Sequence, residues 1–253
     1  MANSNSWKKI FNDYNIPHHD FDKSPFVITA SQIKVSCQDF RTTTQKEVRI
    51  LCKQDTREQR PEIFKENNLF LLPVKNGIYN IIRGEGYIDI PKINSDVTMY
   101  TSKLQFPLDT SSIGDSEMQH LDYAYAASLV RSFVGDPTLV LTIRGRKYTP
   151  QFEFTINDQI IKVESVQTEV DAGYEGKEQV VLIEAKTTNS SNVIIRQLYY
   201  PFRQWQEHTN KKVITLFFDK SQTDIYSIWQ FEFTDTNDYN SIKFVNSGRF
   251  KIV

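Results

Sequence analysis

Glycine and proline are scarce, nine of each in 253 residues, which excludes a collagen-like repeat and argues against a long low-complexity linker. Cysteine is scarcer still. Cys37 and Cys52 stand alone, so there is no disulfide framework and no thiolate spacing suited to a metal. Both lie inside apolar runs and read as buried, reduced thiols. No run approaches the roughly 18 apolar residues of a membrane span, and the opening MANSNSWKKIFNDYN lacks the apolar core of a signal peptide. A cytoplasmic protein is the expectation. Strong charge of one sign is missing as well. With 30 Lys and Arg against 31 Asp and Glu, the formal net charge is −1, so any nucleic-acid contact has to come from local patches.

Aromatics are plentiful: 17 Phe and 12 Tyr suit a chain whose strands bury large side chains. The length fits one large domain or two modest ones. In the first part, residues 7–14 and a segment capped by Thr29 and ending at Cys37 read as short helices. EVRILCK (47–53) alternates enough to be a strand, and Pro61 suits the first turn of a short helix ending near Asn67. LFLLPV, then Lys75-Asn76-Gly77, then IYNII predicts a tight hairpin with both central residues at positive φ. The polar stretch from Pro91 to Gly114 suggests a boundary, giving an N-terminal module over 1–95 and a second domain over 96–253.

From Asp115 or Ser116 one helix of about 18 residues is predicted, with Leu121, Tyr125, Leu129 and Phe133 at i+4 spacing and Gly135-Asp136-Pro137 as its stop. Strands follow at 138–145, 150–156 and 159–171, the last two joined by Asn157-Asp158. A turn over AGYEGKE leads to another strand at 179–185. A helix carrying Ile194, Leu198, Phe202 and Trp205 comes next, with Pro201 expected to kink or restart it. The strand VITLFF and two further β-like segments complete an α+β order, with helices flanking a central mixed sheet.

An acidic residue, any residue, then Lys occurs twice, as Glu175-Gly-Lys177 and Glu184-Ala-Lys186, and context separates the two. The first falls in a Gly-flanked turn and reads as solvated charge. The second follows Val180-Val181-Leu182-Ile183, apolar on both faces and so a central strand. Glu184 and Lys186 therefore share a face at the end of a buried strand, where charges need partners or a task. Asp171 ends the preceding strand in a plausible hairpin, and Glu169 shares its face by the same two-residue period. Hard carboxylate oxygens hold Mg²⁺, and a lysine orients a nucleophile or stabilises charge on phosphorus, so this inventory suits phosphodiester hydrolysis.

The arrangement Asp171…Glu184-Ala-Lys186 resembles the PD-(D/E)XK nuclease superfamily. QTEVDAGYE, VVLIEAK and IRQLYYPFRQW look like a group of type II restriction endonucleases. The likeness is best over 160–210 and looser at ITASQIK and YNSIKFVNSGRFKI. Val170 stands where the name-giving proline would be. The resemblance implies the PD-(D/E)XK core, an N-terminal DNA-recognition module and a Mg²⁺-dependent endonuclease cutting double-stranded DNA in a prokaryotic cytosol. It makes Asp171 and Glu184 metal ligands and Lys186 the catalytic lysine. It further implies a methyltransferase counterpart and makes a homodimer the simplest arrangement. Many members take an extra acidic residue from the helix before the strands, for which Glu117 is the candidate, alongside Glu169. A structure-specific repair or junction nuclease, or a non-catalytic DNA-binding regulator, are the alternatives.

For DNA contact the segment 41–60 holds six basic residues, including Arg41, Arg49, Arg57 and Arg60, against three acidic ones. Arg144-Gly-Arg146-Lys147 is a second patch. Arg196, Tyr200 and Arg203, at i, i+4 and i+7 opposite much of the apolar stripe, form a face expected to meet phosphates or buttress the site, with solvated surface as the alternative. His18-His19 reads as loop, and Gly84-Glu-Gly86 lacks the third glycine of a dinucleotide loop.

Overall fold

The computed structural model describes residues 3–112, 116–186 and 190–253. The first part comprises α1 (Asn3–Asp13), β1 (Phe26–Thr29), α2 (Ala30–Cys37), α3 (Thr43–Lys46), α4 (Val48–Leu51), α5 (Glu62–Glu66), β2 (Leu69–Lys75) and β3 (Ile78–Arg83). Next come β4 (Tyr87–Asp89), β5 (Thr98–Tyr100), α6 (Glu117–Ala126), α7 (Leu129–Val134), β6 (Val140–Tyr148), β7 (Phe152–Ile156) and β8 (Gln159–Val163). The chain continues through β9 (Gln167–Glu175), β10 (Gln179–Lys186), β11 (Asn192–Ile194), α8 (Arg196–Gln206), β12 (Lys212–Lys220), β13 (Tyr226–Phe233) and β14 (Ile242–Ile252). No helix among the described residues is long and apolar enough to cross a membrane.

The fold is α+β around a mixed seven-stranded sheet of order β5-β14-β13-β12-β10-β9-β6. β10 runs parallel to β12 and antiparallel to β9, so the strand that was apolar on both faces is an interior one. Its side chains divide as a doubly covered strand requires. Val180 and Leu182 join Leu198, Tyr199 and Phe202 of α8 in one core, while Val181, Ile183 and Ala185 join Leu121 and Ala124 of α6 and Leu129 and Val130 of α7 in another.

β1, β3 and β2 form a smaller sheet that is also buried on both sides. Leu69, Leu71 and Ile81 meet Trp7, Phe11, Ile33 and Phe64, whereas Phe70, Leu72, Val74 and Ile82 face the α8-side core of the large sheet. The N-terminal module is thus welded to the rest through apolar side chains.

Several local expectations are met. Thr29 caps α2 in a reciprocal capping box with Gln32, and Pro61 stands just before α5. Asn157 and Asp158 join β7 to β8 with φ of 47° and 65°, the twist a two-residue hairpin favours. At Asn76-Gly77 only Gly77 takes positive φ, 72°, and a register shift between Pro73 and Lys75 accommodates the turn.

Other segments differ. The 47–53 stretch is not a strand but contains α4, because Val48 and Leu51, three apart, are the pair that reaches the N-terminal core. The single helix expected from 115 or 116 is two helices: Ser116 caps α6, Asp115 lies outside the described residues, and Ser128 at φ 67° separates α7. Arg131 donates to the Tyr125 carbonyl at 3.1 Å and Lys103 N to the Ala127 carbonyl at 3.2 Å, so carbonyls freed by the break keep partners. The 159–171 strand is likewise two, broken at Ser165 with φ 54°. β8 pairs with β7 while β9 enters the large sheet, and the strand continues through Ala172–Glu175 where a turn was expected. Ile194 belongs to β11, and α8 runs unbroken through Pro201. The polar 91–114 stretch is woven into the sheet: β5 pairs with β14, and Trp229 Nε1 donates to the Pro91 carbonyl at 2.8 Å.

The shared core generates a prediction. Leu72→Ala in the intact chain costs about 2–5 kcal/mol, and a chain starting at residue 82 gives no cooperative transition in thermal or urea unfolding. A sharp transition from that truncated chain would show that the two sheets fold independently.

Candidate active site

At the end of β10 the large sheet opens into a cleft of about 400 Å³. The opening has a local cause. β10 stays paired with β12 as far as Lys186↔Asp219, but its ladder with β9 stops at Ile183↔Ala172. The next β10 amide facing that way, Ala185 N, donates at 2.8 Å to a side chain instead, Asp171 Oδ2. Val170 packs on the α8 side and Ala172 on the α6 side. Residues two apart in a regular strand would share a face, so β9 is irregular here, and the β6–β9 register shifts nearby. As β9 leaves the ladder, Asp171, Glu184 and Lys186 come to line one space. Glu169 and Glu117 also border it.

Glu184 is only 8% exposed. Lys186 Nζ donates to its Oε1, and Gln197 Nε2 of α8 donates to the same oxygen at 2.7 Å. Burial pushes the Glu184 carboxyl up to about 7, Asp171 adds to the rise, and Lys186 opposes it. Burial also raises Asp171, with Glu117 and Glu169 adding to the effect and the Ala185 amide and Lys186 working against it. For Lys186, burial alone would favour the neutral amine, but Glu184, Asp171 and Glu117 outweigh it and hold the ammonium above its ordinary range. The cleft is therefore short of positive charge around desolvated carboxylates, a condition that added cations relieve.

Among the described residues no three His, Cys, Asp or Glu side chains converge tightly enough to hold an ion by themselves. Two hard carboxylates on an open cleft still suit magnesium, which binds through one or two carboxylates and leaves its other positions to water and phosphate oxygens.

The remaining predicted residues divide sharply. Glu169 is exposed and paired with Arg146 at 3.2 Å; Glu117 opens α6 behind its Ser116 cap. Arg144 is held by Asp122. Arg196 borders the cleft and faces Asp55 at 3.7 Å, while Arg41 and Arg49 are exposed. Arg203 is corrected: at 6% exposure it donates to the carbonyls of Glu153 and Thr236, so it clips the core instead of facing DNA. Tyr200 is likewise buried, donating to the Pro73 carbonyl at 3.0 Å. Arg57 is taken up near the surface by Glu85, Asp89 and the Tyr87 carbonyl. Arg60 donates to the Leu69 carbonyl and lies over the Tyr87 ring. Glu175 of the other acid-x-Lys copy sits at the end of β9, paired with Lys211.

Sequence reasoning missed the contribution of Lys53 and Asp55, which border the cleft from the N-terminal part. Gln197, the third residue of IRQLYYPFRQW, was legible only as a helix residue; its contact with Glu184 required the fold.

Fold and cleft define a mixed α+β protein with an acidic pocket at the end of a doubly buried strand. The family model described as Domain of unknown function (DUF6997) matches residues 82–251, and the chain belongs to that family. A second model, Domain of unknown function (DUF6996), matches residues 4–81, so the two meet inside β3. No curated protein and no solved structure matches the chain.

The Glu184 environment has a consequence for stability. Its folded-state pKa lies above the ordinary value of 4.5, so the stability it contributes is complete below that value and is lost as pH rises through about 7. In metal-free protein Glu184→Gln therefore raises the melting temperature at pH 8 by several degrees, corresponding to on the order of 3 kcal/mol, and has little effect at pH 4.5. Calorimetry in chelator checks this. A variant less stable than the native chain at pH 8 contradicts it.

Proposed function

We propose that this chain is a magnesium-dependent endonuclease of the PD-(D/E)XK superfamily, hydrolysing phosphodiester bonds at a short specific site in double-stranded DNA as type II restriction enzymes do. The observation that carries the reading is the end of β10. There Glu184 and Lys186 line one cleft with Asp171, whose carboxylate takes the amide of the intervening Ala185. The mixed sheet with α6 and α7 on one face and α8 on the other supports it. The resemblance over 160–210 is what narrows nuclease to restriction enzyme.

Asp171 and Glu184 are the residues that would hold magnesium, with Glu117 or Glu169 as a further acidic neighbour. When bound, the ion supplies charge neutralisation at the phosphate and acidifies water. Lys186, kept charged by the carboxylates around it, stabilises negative charge building on the phosphoryl oxygens. Gln197 fixes the Glu184 carboxylate from α8 and so preserves its orientation as substrate enters. In the hydrolysis a water oxygen bonds to phosphorus as the ester P–O bond breaks, and the departing oxygen takes a proton. A restriction activity entails a methyltransferase that protects host DNA, and one site per chain makes a pair of copies the simplest way to cut both strands.

The full-length chain with Mg²⁺ is expected to cut phage DNA into discrete bands, and chelation to stop it. Asp171→Ala and Lys186→Ala lower cleavage by at least about a hundredfold with duplex binding preserved. A smear without bands favours a structure-specific nuclease. Absence of cleavage with every divalent metal, on methylated and unmethylated substrates alike, removes the enzyme reading.

A further inference from the structure

Beside the acidic cleft lies a second depression of about 410 Å³ with the opposite character. Arg49, Lys53, Lys75 and Arg196 line it, and among the described residues no Asp or Glu does so. Lys53, Gln167 and Arg196 border both spaces, so the basic groove leads directly into the carboxylate site. Its cations come from separate elements, Arg49 from α4, Lys75 from the end of β2 and Arg196 from the start of α8. Only the tertiary fold gathers them.

We infer that this groove carries the sugar-phosphate backbone of the DNA leading into the cleft, an inference that rests on the nuclease reading. Three of its cations, Arg49, Lys53 and Lys75, are open to solvent, while Arg196 is 22% exposed and faces Asp55. Arg49 has no ion pair among the described residues and is exposed. The Lys75–Glu164 pair, at 3.0 Å, leaves both side chains more than half exposed, and such a pair holds its partner weakly against a phosphate. Lys53 is 67% exposed and reaches Asp55 only at 3.8 Å. By contrast Arg203 is buried on main-chain carbonyls, and the partly exposed Arg57 and Arg60 are engaged by Glu85, Asp89 and the carbonyls of Tyr87 and Leu69.

The groove wall also carries unmet polar groups. Gln54 is 2% exposed, yet neither its Oε1 nor its Nε2 has a partner among the described residues, and Arg196 Nε is unpartnered too. Buried polar atoms of this kind mark places completed by a ligand or an ordered water. Phosphate oxygens accept from Lys and Arg, and each contact releases condensed cations, which makes binding salt-dependent.

The test measures binding of the full chain to a fluorescently labelled short duplex of mixed sequence over a range of salt, with Ca²⁺ in place of Mg²⁺. Arg49→Gln/Lys53→Gln/Lys75→Gln weakens binding at least ~10-fold and reduces the magnitude of the log–log salt slope by about 2–3. The matched control Lys177→Gln/Lys243→Gln/Lys251→Gln, at exposed positions away from the groove, binds like the native chain. Thermal melts confirm that both variants are folded. If the groove variant binds with native affinity and slope while the native chain still cleaves, the groove assignment falls and the nuclease reading stands. A control that weakens equally shows overall charge at work and also overturns the groove. If the native chain neither binds duplex nor cleaves it with any metal, both fall together.

Discussion

A carboxylate at the end of a strand covered on both faces has lost water on every side but one, and whatever restores that lost solvation determines what the site is for. β10 imposes this constraint. Its apolar residues fill two cores, and Glu184 continues the same strand into the region under α8. Gln197 and Lys186 supply part of what water would have supplied, but burial still favours the protonated acid. An ordinary structural ion pair gains nothing from such a placement. The proposed nuclease site would, because a divalent cation and a phosphate would complete electrostatics that the protein leaves unbalanced.

Asp171 shows how the fold creates space for that chemistry without adding a loop. By taking the Ala185 amide on its side chain, it substitutes for a main-chain partner at the point where β9 leaves the ladder. β10 is kept in place by β12 on its other side. The separation of β9 from β10 is therefore local, and the cleft is walled by the sheet and by α8. The N-terminal sheet, buried on both faces, packs against the core of the large sheet, and the segment after α4 brings Lys53 and Asp55 to the cleft rim. Five carboxylates border one depression and four cations the next, so two surfaces of opposite charge lie side by side.

Much of the local structure was legible from short-range chemistry: the Thr29 cap, the Asn157-Asp158 hairpin and the doubly apolar run of β10. The failures share a cause. EVRILCK satisfies a strand pattern as well as a helical turn, and only packing against α1 and α2 selects the turn. The 116–134 helix has an uninterrupted apolar period, yet Ser128 breaks it so that Leu121 and Leu129 both meet the sheet. Arginines were the least readable residues. Arg203 and Arg57 have the same side chain as Arg49 but are consumed by carbonyls and carboxylates that are remote in sequence.

The sequence by itself determined which residues form the end of β10 in the candidate site, because an acid and a lysine two apart behind four apolar residues already imply a shared face at a buried strand's end. It also determined that any cation surface had to be local, since the charges nearly cancel. The tertiary structure alone decided how Asp171 joins that end, since its tie to Ala185 depends on where the β9 ladder stops. It alone decided which basic residues remain free, because neutralisation by distant partners is a matter of distance in space and leaves no trace in spacing along the chain.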